Sequence, residues 1–127
     1  MRNAILMAAG MGTRMRPLTE TMPKPLVPVA GKPMIETVID ALADLKLDQI
    51  YIVTGYLGEQ FGYLQEKYSN ITLLSNKDYK IINNISSLHT ALDVLRRGDC
   101  FICEADLYIN KPSIIKKYHL VLVYNIF

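Results

Sequence analysis

The segment AAGMGTRMRPLTETMPKPLVPVAGK, residues 8–32, follows directly on the apolar run Ala4-Ile5-Leu6-Met7. It joins a short strand to Gly10, Gly12, Arg14 and Arg16, with Lys24 and Lys32 further on. Glycine lets backbone N–H groups approach anionic oxygens and the cations offset their charge, so a polyphosphate cradle is expected at the end of the first strand. Spacing excludes the two common cradles. Gly10-Met11-Gly12-Thr13-Arg14-Met15 lacks the third glycine of a dinucleotide fingerprint, and no Lys-Ser or Lys-Thr pair follows at P-loop distance. The plain alternative is a glycine turn followed by an extended Pro23-Lys24-Pro25 linker with a solvated lysine.

Composition narrows the setting. A chain of 127 residues, half of them apolar, can bury one core and suggests a single domain. The net charge of +2 is small and the cations are dispersed, Arg96-Arg97 and Lys116-Lys117 being the only adjacent pairs, so no nucleic-acid stripe is indicated. Cys100 and Cys103 stand three apart in an apolar run, where strand side chains face opposite ways, which argues against a local disulfide. A reduced, cytoplasmic protein is expected. The two histidines are remote from the cysteines, which makes poor zinc material, and the apolar runs are too short for a membrane span. No targeting segment is expected before the first strand.

Along the chain, Met34, Ile35, Val38, Ile39, Leu42 and Leu45 recur at helical spacing after Pro33, predicting an amphipathic helix over 34–45. Residues 49–54 read as a strand ending at Gly55, 57–68 as a second helix, and 71–74 as a third strand. A helix capped by Ser86 or Ser87 and closed by Gly98 is expected next, then a fourth strand over 100–103. Alternating strands and helices imply a layered, mostly parallel α/β sheet with helices on both faces. Ligands bind such sheets beyond the carboxyl ends of the strands, which brings together the loop after the first strand, Thr54-Gly55-Tyr56 and Glu104-Ala105-Asp106.

Gly10, Gly12, Thr13, Arg14, Pro17, Leu18 and Thr19, then Pro23-Lys24-Pro25, then Gly31-Lys32-Pro33-Met34-Ile35 resemble the signature of nucleotidyltransferases that activate sugars, choline phosphate and similar compounds. The resemblance implies a three-layer α/β/α, Rossmann-like nucleotidyltransferase fold, here truncated. In that chemistry a phosphate oxygen of the acceptor attacks the α-phosphorus of a nucleoside triphosphate and pyrophosphate leaves, so two anions must be brought together and charge on the leaving group stabilised. The resemblance gives the glycine loop with Arg14 to the β- and γ-phosphates and makes Ala8, Ala9, Gly10, Gly12 and Thr13 nucleotide-binding. It gives Lys24 to the α-phosphate, making Arg14 and Lys24 the catalytic pair. Asp106, just after an apolar strand, is by itself a helix cap or a loop residue, but the resemblance makes it the Mg²⁺ ligand. Arg16, Lys32 and Glu104 have surface or supporting roles as their alternatives. The acceptor oxygen is already anionic, so no general base is needed and His89 reads as a helix-surface residue. His119 has no assigned partner.

Asn83-Asn84-Ile85-Ser86-Ser87-Leu88 can be turn residues bonded to their own backbone, or can read a base edge or ribose through Asn84, Ser87 and the helix end. This segment, with Gly55-Tyr56-Leu57, Glu59-Gln60-Phe61 and Tyr63-Leu64, resembles choline-phosphate cytidylyltransferases of bacterial surface-polymer pathways, which act on CTP. The expected partners are therefore CTP and a phosphorylated small molecule such as phosphocholine or a sugar phosphate, with no nucleic acid and no membrane.

The resemblance runs from Asn3 to about Pro112, giving a nucleotide-binding core over 1–112 and an atypical apolar tail over 113–127. Members of the family continue further, to acceptor-binding strands and a second metal aspartate, whereas no carboxylate side chain follows Asp106 here. The tail 120–127 carries one strongly polar side chain, so it is a buried strand, an edge that pairs with a second copy in a homodimer, or a product of a shifted reading frame. Three functions compete: an active cytidylyltransferase, a catalytically impaired nucleotide-binding fragment, and a non-enzymatic pseudoenzyme that assembles through its sheet edge.

Overall fold

The computed structural model describes residues 2–80, 84–98, 100–111 and 122–124, with 84, 85 and 122–124 described by backbone alone. Strand β1, Asn3–Ala8, is buried along its whole length. Its alternating side chains divide between two cores. Ala4, Leu6 and Ala8 face Ile35, Val38 and Leu42 of helix α1, Met34–Leu42, whereas Ile5 and Met7 face Ala91, Val94 and Leu95 on the other side of the sheet. A strand apolar on both faces must be covered on both, and this one is.

Beyond a small hairpin of β2, Pro28–Val29, and β3, Lys32–Pro33, the remaining strands are β4, Gln49–Thr54, β5, Ile71–Ser75, β6, Cys100–Glu104, and β7, Leu122–Tyr124. The five-stranded sheet has the order β5-β4-β1-β6-β7. The first four strands are parallel, and β7 runs antiparallel on β6. The expected three-layer, mostly parallel architecture is thus observed. The β7 segment of the tail is an edge strand of its own sheet. Asn83, His119, the 112/113 boundary and the rest of the tail lie outside the described residues.

Cys100 joins one core and Cys103 the other, so the two thiols do face opposite ways and both are free. Burial pushes Cys100 up to about 11; burial, then Glu104 and Asp106, push Cys103 up to about 12. Both stay protonated at neutral pH, which suits packing and not metal binding or nucleophilic attack.

Two helices differ from expectation. The 57–68 helix is broken into a 3₁₀ turn, Gly58–Phe61, and α2, Tyr63–Lys67, because Gly58 and Gly62 weaken its first half. The helix near the serines starts earlier, as α3, Asn84–Thr90, so Ser86 and Ser87 lie inside it and not at its N-cap. It gives way at Ala91 to α4, Leu92–Leu95, where Thr90 turns its hydroxyl back onto the Ser86 carbonyl at 3.0 Å, a bond that bends helices.

Candidate active site

Chain order reverses at β1: the sheet grows through β4 and β5 on one side, then returns through β6 on the other. Such a switch point leaves a crevice beyond the carboxyl ends of the two diverging strands. In this molecule a cleft of about 290 Å³ opens there. Ala8, Ala9, Gly10, Gly12, Thr13, Arg14, Lys24, Ser87 and Asp106 all line it, so nine of the residues singled out in the sequence converge. The backbone of Asn84 begins α3, and its side chain lies outside the described residues.

The loop is shaped by specific contacts. Gly12 has φ +61, and a Cβ there would meet Thr19 Cγ2 at 3.0 Å and Lys24 Cβ at 3.1 Å. Only glycine meets both conditions without strain. Thr19, fully buried, donates its hydroxyl to the Gly12 carbonyl at 2.6 Å. Tyr56 donates its own hydroxyl to the Thr19 carbonyl at 2.6 Å, and its backbone N–H donates to the Ala9 carbonyl at 3.2 Å. Around Gly10, by contrast, a Cβ would find nothing within 4 Å, so this glycine keeps space open for a ligand.

Pro23 and Pro25 bracket Lys24 in a short 3₁₀ turn that aims it across the cleft. Its Nζ lies 3.0 Å from Asp106 Oδ2, with side-chain exposures of 36% and 32%. Asp106 reaches this point because the Ala105 N–H donates to the Met7 carbonyl at 3.2 Å, extending the β1–β6 register by one residue. Glu104 also lines the cleft. The arrangement offers backbone N–H groups, Arg14 and Lys24 to anions, and a carboxylate pair to a cation.

Some expected residues fall elsewhere. Thr54, Gly55 and Tyr56 do not line the cleft but buttress it from behind. Arg16 is exposed outside the lining. Lys32 pairs with Asp40 of α1, outside the lining, and that hydrogen bond holds its amine above the ordinary lysine value. His89 is exposed on α3, as expected of a surface histidine.

Asn76 and Tyr79, both in the lining, were missed. They follow the end of β5 in a polar, asparagine-rich stretch. Gly55 carried the available signal: a Cβ there would lie 2.5 Å from Tyr79 Cβ, so the glycine marks a close approach. Among the described residues, no group of three or more His, Cys, Asp or Glu side chains could hold a metal. No helix among them is long and apolar enough to cross a membrane.

A mostly parallel sheet with its cleft at the switch point defines a Rossmann-like α/β domain. The chain belongs to the MobA-like NTP transferase domain family, whose model matches residues 4–120. It is 56% identical over 114 residues to the 2-aminoethylphosphonate cytidylyltransferase of Lancefieldella rimae, covering 90% of this chain and 46% of that protein. It is 39% identical over 115 residues to the choline-phosphate cytidylyltransferase of Haemophilus influenzae, covering 91% and 48%. The solved CTP:phosphocholine cytidylyltransferase of Streptococcus pneumoniae superposes with a TM-score of 0.81 at 44% identity, covering 87% of this chain and 47% of that one. The chain thus spans about half the length of the curated relatives it matches.

Proposed function

We propose that the chain forms the nucleotide half of a cytidylyltransferase: it seats CTP in the β1/β6 cleft for transfer of CMP to a small phosphate or phosphonate, with release of pyrophosphate. The meeting of Lys24 and Asp106 beside the glycine loop carries this reading. The nucleoside triphosphate enters as an anion needing backbone N–H groups and cations, and the loop with Arg14 and Lys24 supplies both. Arg14, a planar fork, suits the β- and γ-phosphates; Lys24, a compact charge, suits the α-phosphate as the acceptor oxygen attacks and the bond to the bridging oxygen breaks.

The residues fit a Mg²⁺ ion that arrives with the nucleotide. Mg²⁺ takes one or two carboxylates and completes its shell with phosphate oxygens and water, and Asp106 with Glu104 in the same lining meets that need without a dedicated cage. Bound there, the ion would neutralise phosphate charge. Lys24 would give up Asp106 and turn to the phosphate. The likeness to proteins named for 2-aminoethylphosphonate and choline phosphate supports an acceptor that joins an anionic phosphorus group to a short amine.

The coverage of about half of each relative favours a second reading, a chain that binds CTP without turnover. Two measurements on the 127-residue chain separate the outcomes. Pyrophosphate release from CTP with 2-aminoethylphosphonate or phosphocholine supports the enzyme. Calorimetric CTP·Mg²⁺ binding without release supports the binding fragment, and absence of binding removes both.

A further inference from the structure

Between its two cations the chain makes an excursion: it leaves the cleft lining after Met15 and rejoins it at Lys24. Little apolar burial holds this arch. Arg16, Pro17, Leu18, Glu20 and Thr21 are exposed, and only Thr19 and Pro23 are buried. The place of such a segment is decided largely by its polar contacts.

Two of those contacts come from the turn that follows β4. Tyr56 Oη donates to the Thr19 carbonyl at 2.6 Å, and Gln60 Nε2 donates to the Thr21 carbonyl at 2.9 Å. A phenol has one proton, and the Glu20 carbonyl at 3.4 Å is too far to compete for it; an amide meets a carbonyl only with its nitrogen end. Each side chain therefore serves one carbonyl of the arch. The turn itself is firmly seated, because the Tyr56 N–H donates to the Ala9 carbonyl at 3.2 Å, the Gln60 N–H to the Leu57 carbonyl at 3.0 Å, and Phe61 is fully buried.

The consequence falls on Lys24. Thr21 lies just before it in the chain, and the buried Pro23 between them leads straight into the 3₁₀ turn Lys24–Leu26, so a shift of the arch is passed on to the lysine. Thr19 also donates to the Gly12 carbonyl, which registers the same arch on the glycine loop.

Resting on the CTP reading above, we propose that Tyr56 and Gln60 are positioning residues: from outside the lining they set the place of Lys24 relative to the glycine loop. CTP must engage loop and lysine at once, whereas CMP or pyrophosphate can settle on one of them alone. A spacing error therefore falls on the triphosphate first. A misplacement of about 1 Å is enough to remove most of the effect of a group aimed at a single atom.

The test is calorimetry of CTP, CMP and pyrophosphate, each with Mg²⁺, on the 127-residue chain. Tyr56→Phe and Gln60→Ala should each weaken CTP by about fivefold, the worth of one hydrogen bond, and leave CMP and pyrophosphate within about twofold. Lys24→Ala removes the group being positioned, so Gln60→Ala should add nothing in that background. A merely structural role would weaken all three ligands alike and would persist undiminished without Lys24; either result overturns the proposal. Unchanged CTP affinity in both variants overturns it as well. If wild type binds none of the three, the functional reading itself falls, and the brace is judged without ligand. Crystal structures of wild type and of the Tyr56→Phe/Gln60→Ala variant should then differ in the Lys24–Asp106 contact, and an unmoved Lys24 overturns the brace. Gln60→Ala removes only a bond at an exposed edge, so it keeps the test decisive if Tyr56→Phe does not fold.

Discussion

Two lysine–carboxylate pairs in this molecule look alike on paper and differ in what they can do. Lys67 meets Glu36 at 2.5 Å between α2 and α1, and Lys24 meets Asp106 at 3.0 Å in the cleft. The Glu36 side chain is 4% exposed and also accepts the Tyr63 hydroxyl at 2.7 Å, so removing either donor strands a buried charge. Burial pushes its carboxyl up, yet the bonds from Lys67 and Tyr63 outweigh this and hold it below the ordinary value. Lys24 and Asp106 are each about one-third exposed, which leaves water and ligand a way in. Burial and a third partner make the first pair a staple of α2 onto α1; their lack makes the second exchangeable.

The largest effect should come from breaking the cleft pair. Lys24→Ala is expected to lower pyrophosphate release by roughly a hundredfold or more while the urea midpoint barely moves, since a one-third-exposed pair adds little to stability. Asp106→Ala should act alike and also reduce the Mg²⁺ dependence of CTP binding. An unfolding transition shifted as far as the activity would show that the cleft pair is a staple after all.

Breaking the α1 pair should reverse the pattern. Glu36→Ala leaves Lys67 and Tyr63 without their acceptor and should cost about 2 kcal/mol in urea unfolding, with CTP affinity unchanged. Its pH signature follows from the depressed carboxyl: the contribution is complete above the ordinary value of 4.5 and is lost as pH falls through the lower folded value. Unfolding midpoints from pH 7 to pH 3 should therefore drop more in wild type than in Glu36→Gln. Parallel curves would deny Glu36 this role.

A smaller contrast lies within the loop. Gly12→Ala meets a left-handed backbone and two contacts near 3 Å, and should destabilise by about 1 kcal/mol as well as weaken CTP. Gly10→Ala meets nothing, so it should weaken CTP by filling the cradle while leaving the melting temperature within a degree or two. Equal melting shifts would mean that both glycines serve the fold alone.

Features with a local cause were legible in the sequence. β4 has the expected bounds because a β-favouring run ends at Gly55, and the loop that lines the cleft after β1 is legible because glycines and cations lie close together in the chain. The side of the cleft lined by Asn76, Tyr79 and Ser87 was not. Asn76 acts on residues ten and eleven positions away, and its amide draws Ser86 and Ser87 into the body of α3, where capping preference alone would have left them at its start. The Lys24–Asp106 meeting spans most of the chain and became foreseeable only through the parallel topology.

The ties of Thr19 and Tyr56 to the loop bear on the thermodynamics of encounter. A glycine-containing loop ordinarily surrenders conformational freedom when it closes on an anion, and that loss is subtracted from affinity. Here two bonds of 2.6 Å already hold the loop before any ligand arrives. The entropy of ordering it is absorbed in folding, and any anion the loop accepts meets a preorganised surface.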